Sequence, residues 1–374
     1  MVREAARVTG PYLTFFPQFC REPLNDGAWY PGFTDWDLIK RLPPGTRERF
    51  TPAAGYYDLA TDEAIAAQFN AIRGSAWPNI ALYHYFFDGR FVLSAVERYI
   101  LRTQRGVPRF FMIWANETWT KRWVGRPSDI IIKQNHSLDP SVITVHADHL
   151  VSLFRHPSYA CVKGRPLFAV YAPYDIHDVG RFVQTYREAF AQRGFSPLIG
   201  FCVPYVDPAF DARHFDFSLE FQPRLFFNVM RAKRQTEAAR VGLLLKRRLP
   251  KLYDALTGWR DKALRHRSVA SSGFEYRDYL ELVNRDFFGR LLEESFGIPA
   301  VRCAFYSWNN FPRYRGSALV VRHGEGDFKE FMSLCATMVS RYPWSLVNSW
   351  NEWSEGAALE PGVMDCGSYD LHSR

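Results

Sequence analysis

Glu352 and Glu355 stand three residues apart in NSWNEWSEG (348 to 356), a spacing that lets two carboxyl groups share one site if the chain turns between them. On a straight strand, residues three apart point to opposite faces, so convergence needs a turn at Trp353 and Ser354. Gly356 is well placed to allow one. Paired carboxyl groups suit the making or breaking of a glycosidic bond. One group manages the proton on the bridging oxygen, and the other manages the anomeric centre or a neighbouring hydroxyl. The plainer alternative is an exposed loop carrying two solvated glutamates.

Sugars offer C–H faces to aromatic rings and hydroxyls to directional polar partners. The segment WANETWTKRW supplies both kinds in Trp114, Asn116, Glu117, Trp119, Arg122 and Trp123. Tyr83, His84 and Tyr85, then Glu220, Trp308, Asn351 and Trp353, complete the candidate binding set. Each ring could equally pack a barrel mouth, and His84 could be a satisfied core histidine. Asp35-Trp36-Asp37 matches the D-x-D with which some nucleotide-sugar transferases hold a metal. Three-residue matches are common by chance, so it is set aside, and the sequence implies neither a metal nor a cofactor.

These residues follow apolar runs that read as strands: 12 to 16, 80 to 87, 109 to 115, 165 to 173, 197 to 203, 215 to 221, 301 to 308 and 344 to 350. Between them, segments such as 92 to 105, 178 to 193 and 327 to 341 place apolar residues on one helical face. Eight strands with crossover helices predict a single (β/α)8 TIM-type barrel spanning 1 to 374, whose chemistry belongs at the C-terminal ends of the strands. No G-x-G-x-x-G follows the first strand, which disfavours a dinucleotide fold. Residues 222 to 300 are too long for one connection and predict an insertion between strands 6 and 7. The eighth helix is expected to be short or absent.

Composition fits an ordinary globular domain, with 47% hydrophobic and 23% charged residues in 374. The aromatic share of 16% is high for a barrel filled with branched aliphatics and points to rings at a site. The net charge of +8 is local: residues 231 to 267 hold twelve Lys/Arg against three acids, leaving the rest near neutral. Nucleic-acid binding is therefore not expected. Within that stretch Val241, Leu244, Leu245, Leu249 and Leu252 recur at helical spacing among the basic residues, a pattern suited to peripheral contact with an anionic membrane surface. A solvated cationic helix is the alternative. Six scattered cysteines without a C-x-x-C pair, and no signal-like or spanning apolar run, lead us to expect a cytoplasmic protein, peripheral at the inner membrane face if the basic helix binds there.

In order along the chain, PQF with GFTDW (17 to 36), GYYD (55 to 58), YHYFFDG (83 to 89), WANETWTKRW (114 to 123), KGRPLFAVY (163 to 171) and NSWNEWSEGAALEP (348 to 361) resemble the WbsX-type family. That family is usually described as glycosyltransferases of bacterial surface polysaccharide (O-antigen, capsule, exopolysaccharide and lipopolysaccharide). It is related to the endo-α-mannosidases of glycoside hydrolase family 99. The resemblance implies a glycan or polysaccharide substrate, lipid-linked if the chain works at a membrane, and a retaining reaction. It also implies that Glu352 deprotonates the sugar 2-hydroxyl and that Glu355 is the general acid/base. The family often has His at Cys20 and Asp at Asn309, so a hydrogen-bonding group and a charge are expected to be missing from the mouth. Hydrolysis and transfer share this chemistry and stay open, and a non-catalytic glycan-binding barrel is the alternative from another class.

Overall fold

The computed structural model describes residues 10–121, 126–234, 272–338, 343–364 and 367–368. Eight barrel strands follow the chain: β1 (Gly10–Phe15), β2 (Asn79–Phe87), β3 (Arg109–Trp114), β4 (Arg165–Val170), β5 (Leu198–Val203), β6 (Phe217–Glu220), β7 (Ala300–Val301 and Cys303–Phe305) and β8 (Trp344–Asn348). Nearly every residue in them is buried, as expected of parallel strands covered on both faces.

Pairing is parallel throughout and runs β6-β5-β4-β3-β2-β1-β8-β7. The seventh strand is interrupted at Arg302. Its first half pairs with β6 and its second with β8, so the nine strand segments bring the sheet back on itself as a barrel. The expected (β/α)8 architecture is thus observed.

Helices α1 (Asp62–Gly74), α2 (Ala95–Arg102), α3 (Pro140–Phe154) and α4 (Val179–Ala191) follow the first four strands. Local chemistry starts them. The Thr61 hydroxyl accepts from the Ala64 N–H ahead of α1, and Asp178 accepts from Arg181 ahead of α4. Asp139 caps α3, whose first residue is Pro140, where a missing N–H costs nothing. Helices α5 (Tyr276–Asn284) and α6 (Phe287–Phe296) precede β7, and α7 (Asp327–Thr337) precedes β8. Two connections depart from the ideal pattern. Only a 3-10 turn, Ala212–His214, joins β5 to β6, and a 3-10 turn, Trp353–Glu355, follows β8, with no α-helix after it among the described residues. Residues 221 to 299 lie between β6 and β7, and most of the basic segment predicted there, 235 to 267, lies outside the described residues.

The barrel interior explains part of the aromatic excess. Tyr12, Phe111, Phe217 and Trp344 come from β1, β3, β6 and β8, yet their rings meet at 5.4 to 5.9 Å between centroids. Rings from strands that are not neighbours can meet only inside the barrel, so aromatic side chains fill a layer that branched aliphatics usually occupy. Gly200 on β5 makes room for one of them: a Cβ there would lie 2.1 Å from the Phe217 ring. The described cysteines are free thiols, and no described helix is long and apolar enough to cross a membrane.

Candidate active site

A pocket opens at the C-terminal ends of the strands. Glu352 and Glu355 lie in it together with Tyr83, Tyr85, Glu117 and Trp119. Alternation along β2 turns Tyr83 and Tyr85 inward. Tyr83 stacks on Phe16 at 4.3 Å, and Trp119 meets Tyr85 edge-on at 5.2 Å, which gives the pocket an aromatic wall.

The turn anticipated between the glutamates is the 3-10 turn Trp353–Glu355, closed by Gly356 at φ +60°. A side chain at Gly356 would also press on the Asn309 backbone, 2.7 Å away. Both carboxyl groups are nearly fully buried. They converge on one guanidinium: Arg313 Nη2 lies 3.2 Å from Glu352 Oε1, and Nη1 lies 2.8 Å from Glu355 Oε1. Because they touch the two ends of one planar group, these oxygens are within about 8 Å of each other.

Glu352 also accepts from the Gln18 amide at 3.0 Å, and Arg313 and Gln18 both reach across to Asp35 Oδ2. Burial pushes the Glu352 carboxyl up to about 8. Arg313 opposes the shift, while Glu355 and Asp35 add to it. Hydrogen-bond arithmetic points the same way. Ser354 Oγ lies 2.6 Å from Asp35 and 2.9 Å from Glu352, and its single proton can serve only one of them. A proton on Glu352 would satisfy the other contact.

Glu355 faces Arg313 and has Arg224 3.7 Å away. Arg224 follows β6, lines the pocket and has a side chain 41% exposed.

Several sequence candidates do not line the pocket and hold its frame. Asn351 bonds both backbone groups of Phe16, tying the glutamate loop to the end of β1. Asn116 does the same for Ala172 beyond β4. The Trp353 indole donates to Glu360 at 2.7 Å and so faces away from the pocket. Glu360 also accepts from Tyr57 and Gln68, while Gln68 accepts from Trp350, so one buried carboxyl, pushed up to about 7 by burial, anchors the loop. Trp114 and His84 point into the helix layer, and Trp308 is buried outside the lining. Glu220 is fully buried in the sheet, accepts from the Cys303 N–H, and is pushed up to about 7 by burial. Arg122 and Trp123 lie outside the described residues.

Neither Cys20 nor Asn309, where the chain departs from the family pattern, is among the residues that line the pocket. The Cys20 thiol donates to the Pro17 carbonyl, and the Asn309 side chain accepts from Phe311. Conversely, Gln18, Asp35, Arg224 and Arg313 line the pocket without having been chosen. Asp35 belongs to the D-x-D set aside above, and it ion-pairs with Arg313.

Fold and pocket together define a (β/α)8 barrel with a carboxylate-rich, aromatic-walled pocket at the C-terminal ends of its strands. The chain belongs to the WbsX glycosyltransferase family, whose profile matches residues 12–369. It is 27% identical over 359 residues to the uncharacterized protein WxcX of two strains of Xanthomonas campestris pv. campestris. The match covers 93% of this chain and 46% of WxcX, so the chain spans about half the length of those relatives. Among solved structures it resembles the GH99 endo-alpha-mannosidase of Bacteroides thetaiotaomicron, with a TM-score of 0.53 and 11% identity over 99% of this chain and 94% of that one. A glycoside hydrolase-like protein gives 0.52 and 11%, covering 95% and 88%. At such identities the likeness is one of fold.

Proposed function

We propose that this protein is a retaining glycan-processing enzyme of bacterial surface polysaccharide metabolism, with Glu352 and Glu355 as its reacting pair. The observation that carries the reading is the convergence of both carboxyl groups on Arg313 at the base of an aromatic-walled pocket. In this reading Glu352 removes the proton of a sugar 2-hydroxyl, whose oxygen attacks the anomeric carbon. The bond to the leaving oxygen breaks as Glu355 gives that oxygen a proton. Water or an acceptor hydroxyl then opens the ring so formed, losing its proton to Glu355, and the hydroxyl regains its own from Glu352. The two outcomes are hydrolysis and transfer. Burial raises the Glu352 carboxyl in the empty site, so a proton held there must leave before the group can act as the base.

The second reading is a non-catalytic glycan-binding barrel, favoured by the burial that raises the Glu352 carboxyl and so makes it hold the proton a base must give up. The experiment is incubation with polysaccharide from the source organism, with and without sugar nucleotides, followed by mass analysis of products. Turnover that Glu355→Gln abolishes supports the enzyme, whereas glycan binding without turnover by the unaltered protein supports the second reading. A lipid-linked substrate at the inner membrane face accords with the basic stretch 231 to 267. Co-sedimentation with anionic vesicles that weakens in high salt tests that part separately.

A further inference from the structure

Away from the pocket, four ionisable side chains meet between the barrel and its helices, a layer that apolar packing would ordinarily fill. His84 leaves β2 on its outward side, Glu97 comes from α2, and His146 and His149 come from α3. Glu97 Oε1 lies 2.9 Å from His84 Nδ1, and Glu97 Oε2 lies 2.5 Å from His149 Nε2. One ligand atom from each of these three residues falls within 4.8 Å of the others. Behind them His84 Nε2 lies 2.8 Å from His146 Nε2, and His146 Nδ1 lies 2.7 Å from Tyr186 Oη. The glycan reading uses none of these groups.

We propose that His84, Glu97 and His149 bind a divalent transition-metal ion of the zinc class, clamping β2 to α2 and α3. Two imidazole nitrogens and one carboxylate oxygen form a donor set suited to zinc, cobalt or nickel and poorly suited to magnesium or calcium. Bonds of about 2.0–2.2 Å place tetrahedral ligand atoms roughly 3.3–3.5 Å apart, between the shortest and longest separations present here. Modest rotations of three side chains therefore suffice.

The groups behind the ligands match what a metal-bound histidine needs. With Nδ1 on the ion, His84 keeps its proton on Nε2 and must donate it, and His146 Nε2 stands at donating distance. His146 then carries its own proton on Nδ1, toward Tyr186 Oη. His149, with 15% of its side chain exposed, leaves a path for the ion and a position for a water ligand, whereas His84 and Glu97 are sealed. The sequence had implied no metal because two of the ligands come from separate helices and no ligand spacing marks them.

The test uses the whole chain, stripped with chelator and titrated with Zn²⁺, Co²⁺ and Mg²⁺. Binding of about one Co²⁺ per chain with a visible d–d band, and a melting temperature raised by Zn²⁺ but not by Mg²⁺, is the expected result. His149→Ala, at the rim and compatible with folding, should weaken Zn²⁺ binding at least tenfold, and Glu97→Gln should do the same. No band and no thermal shift in the unaltered protein would overturn the proposal whether or not the Glu97 variant folds. Equal affinity in the unaltered protein and His149→Ala would also overturn it, by placing the ion elsewhere.

Discussion

Glu352 lies 3.2 Å from the Arg313 guanidinium and still has its carboxyl pushed up to about 8. An adjacent cation normally lowers a carboxyl group, so burial outweighs the ion pair here, with Glu355 and Asp35 adding to it. The sharing of Arg313 among three acids explains why one guanidinium does not suffice.

Activity should therefore rise with pH. If ionised Glu352 is the base, kcat/KM should increase through an apparent value near 8 over the range in which Glu355 keeps the proton it gives the leaving oxygen. Either Glu352→Gln or Glu355→Gln should lower turnover by a factor on the order of 100 to 10,000 while glycan binding persists. A flat profile between pH 6 and 9, on the order of which the Glu352 proton must leave, would remove Glu352 as the base.

Stability should move the other way with pH. The folded Glu352 carboxyl holds its proton more tightly than an unfolded one near 4.3, so its contribution is fully present below about pH 4 and lost as pH rises through about 8. Glu220 and Glu360, both pushed up to about 7, act with the same sign over a lower window. Urea unfolding across this range should show a shallower decline for Glu352→Gln than for the unaltered protein.

Arg313→Ala leaves three buried acids without their shared cation and should cost about 3–5 kcal/mol. Glu352 should titrate higher still, since Arg313 is the group that lowers it most. Denaturation midpoints measure the first effect and carboxyl titration by NMR the second. A variant as stable as the parent would mean that the three acids do not depend on this cation.

Glu360→Gln puts an amide where two donors meet one carboxyl oxygen and a third meets the other. At least one buried donor loses its acceptor, which should cost about 1–3 kcal/mol. Because the lost contact anchors the loop and not the sugar, kcat should fall more than glycan affinity. An affinity loss with kcat intact would place Glu360 in direct contact with substrate.

Gly200→Ala tests the aromatic interior. The added methyl would lie 2.1 Å from the Phe217 ring, so the ring must leave its place among Tyr12, Phe111 and Trp344. Overpacking of this kind should cost about 1–3 kcal/mol or more, read as a lowered thermal midpoint. An unchanged midpoint would show that the barrel is looser than these contacts imply.

The alternating pattern by itself determined the barrel: all eight strands appear within a few residues of their apolar runs, because burial on both faces leaves a local signature. It also determined the glutamate turn, since a glycine just beyond two acids three apart marks where a strand must stop. Only tertiary structure decided which polar residues face the pocket. Side-chain direction alternates along a strand, so Tyr83 and Tyr85 line the pocket while His84 between them enters the helix layer. Tertiary structure also decided that Asp35 and Arg313, separated by 278 positions, share an ion pair at the glutamate loop. No local spacing encodes that pairing, because the closed sheet sets β1 beside β8 and β8 beside β7, bringing the loops beyond those strands together.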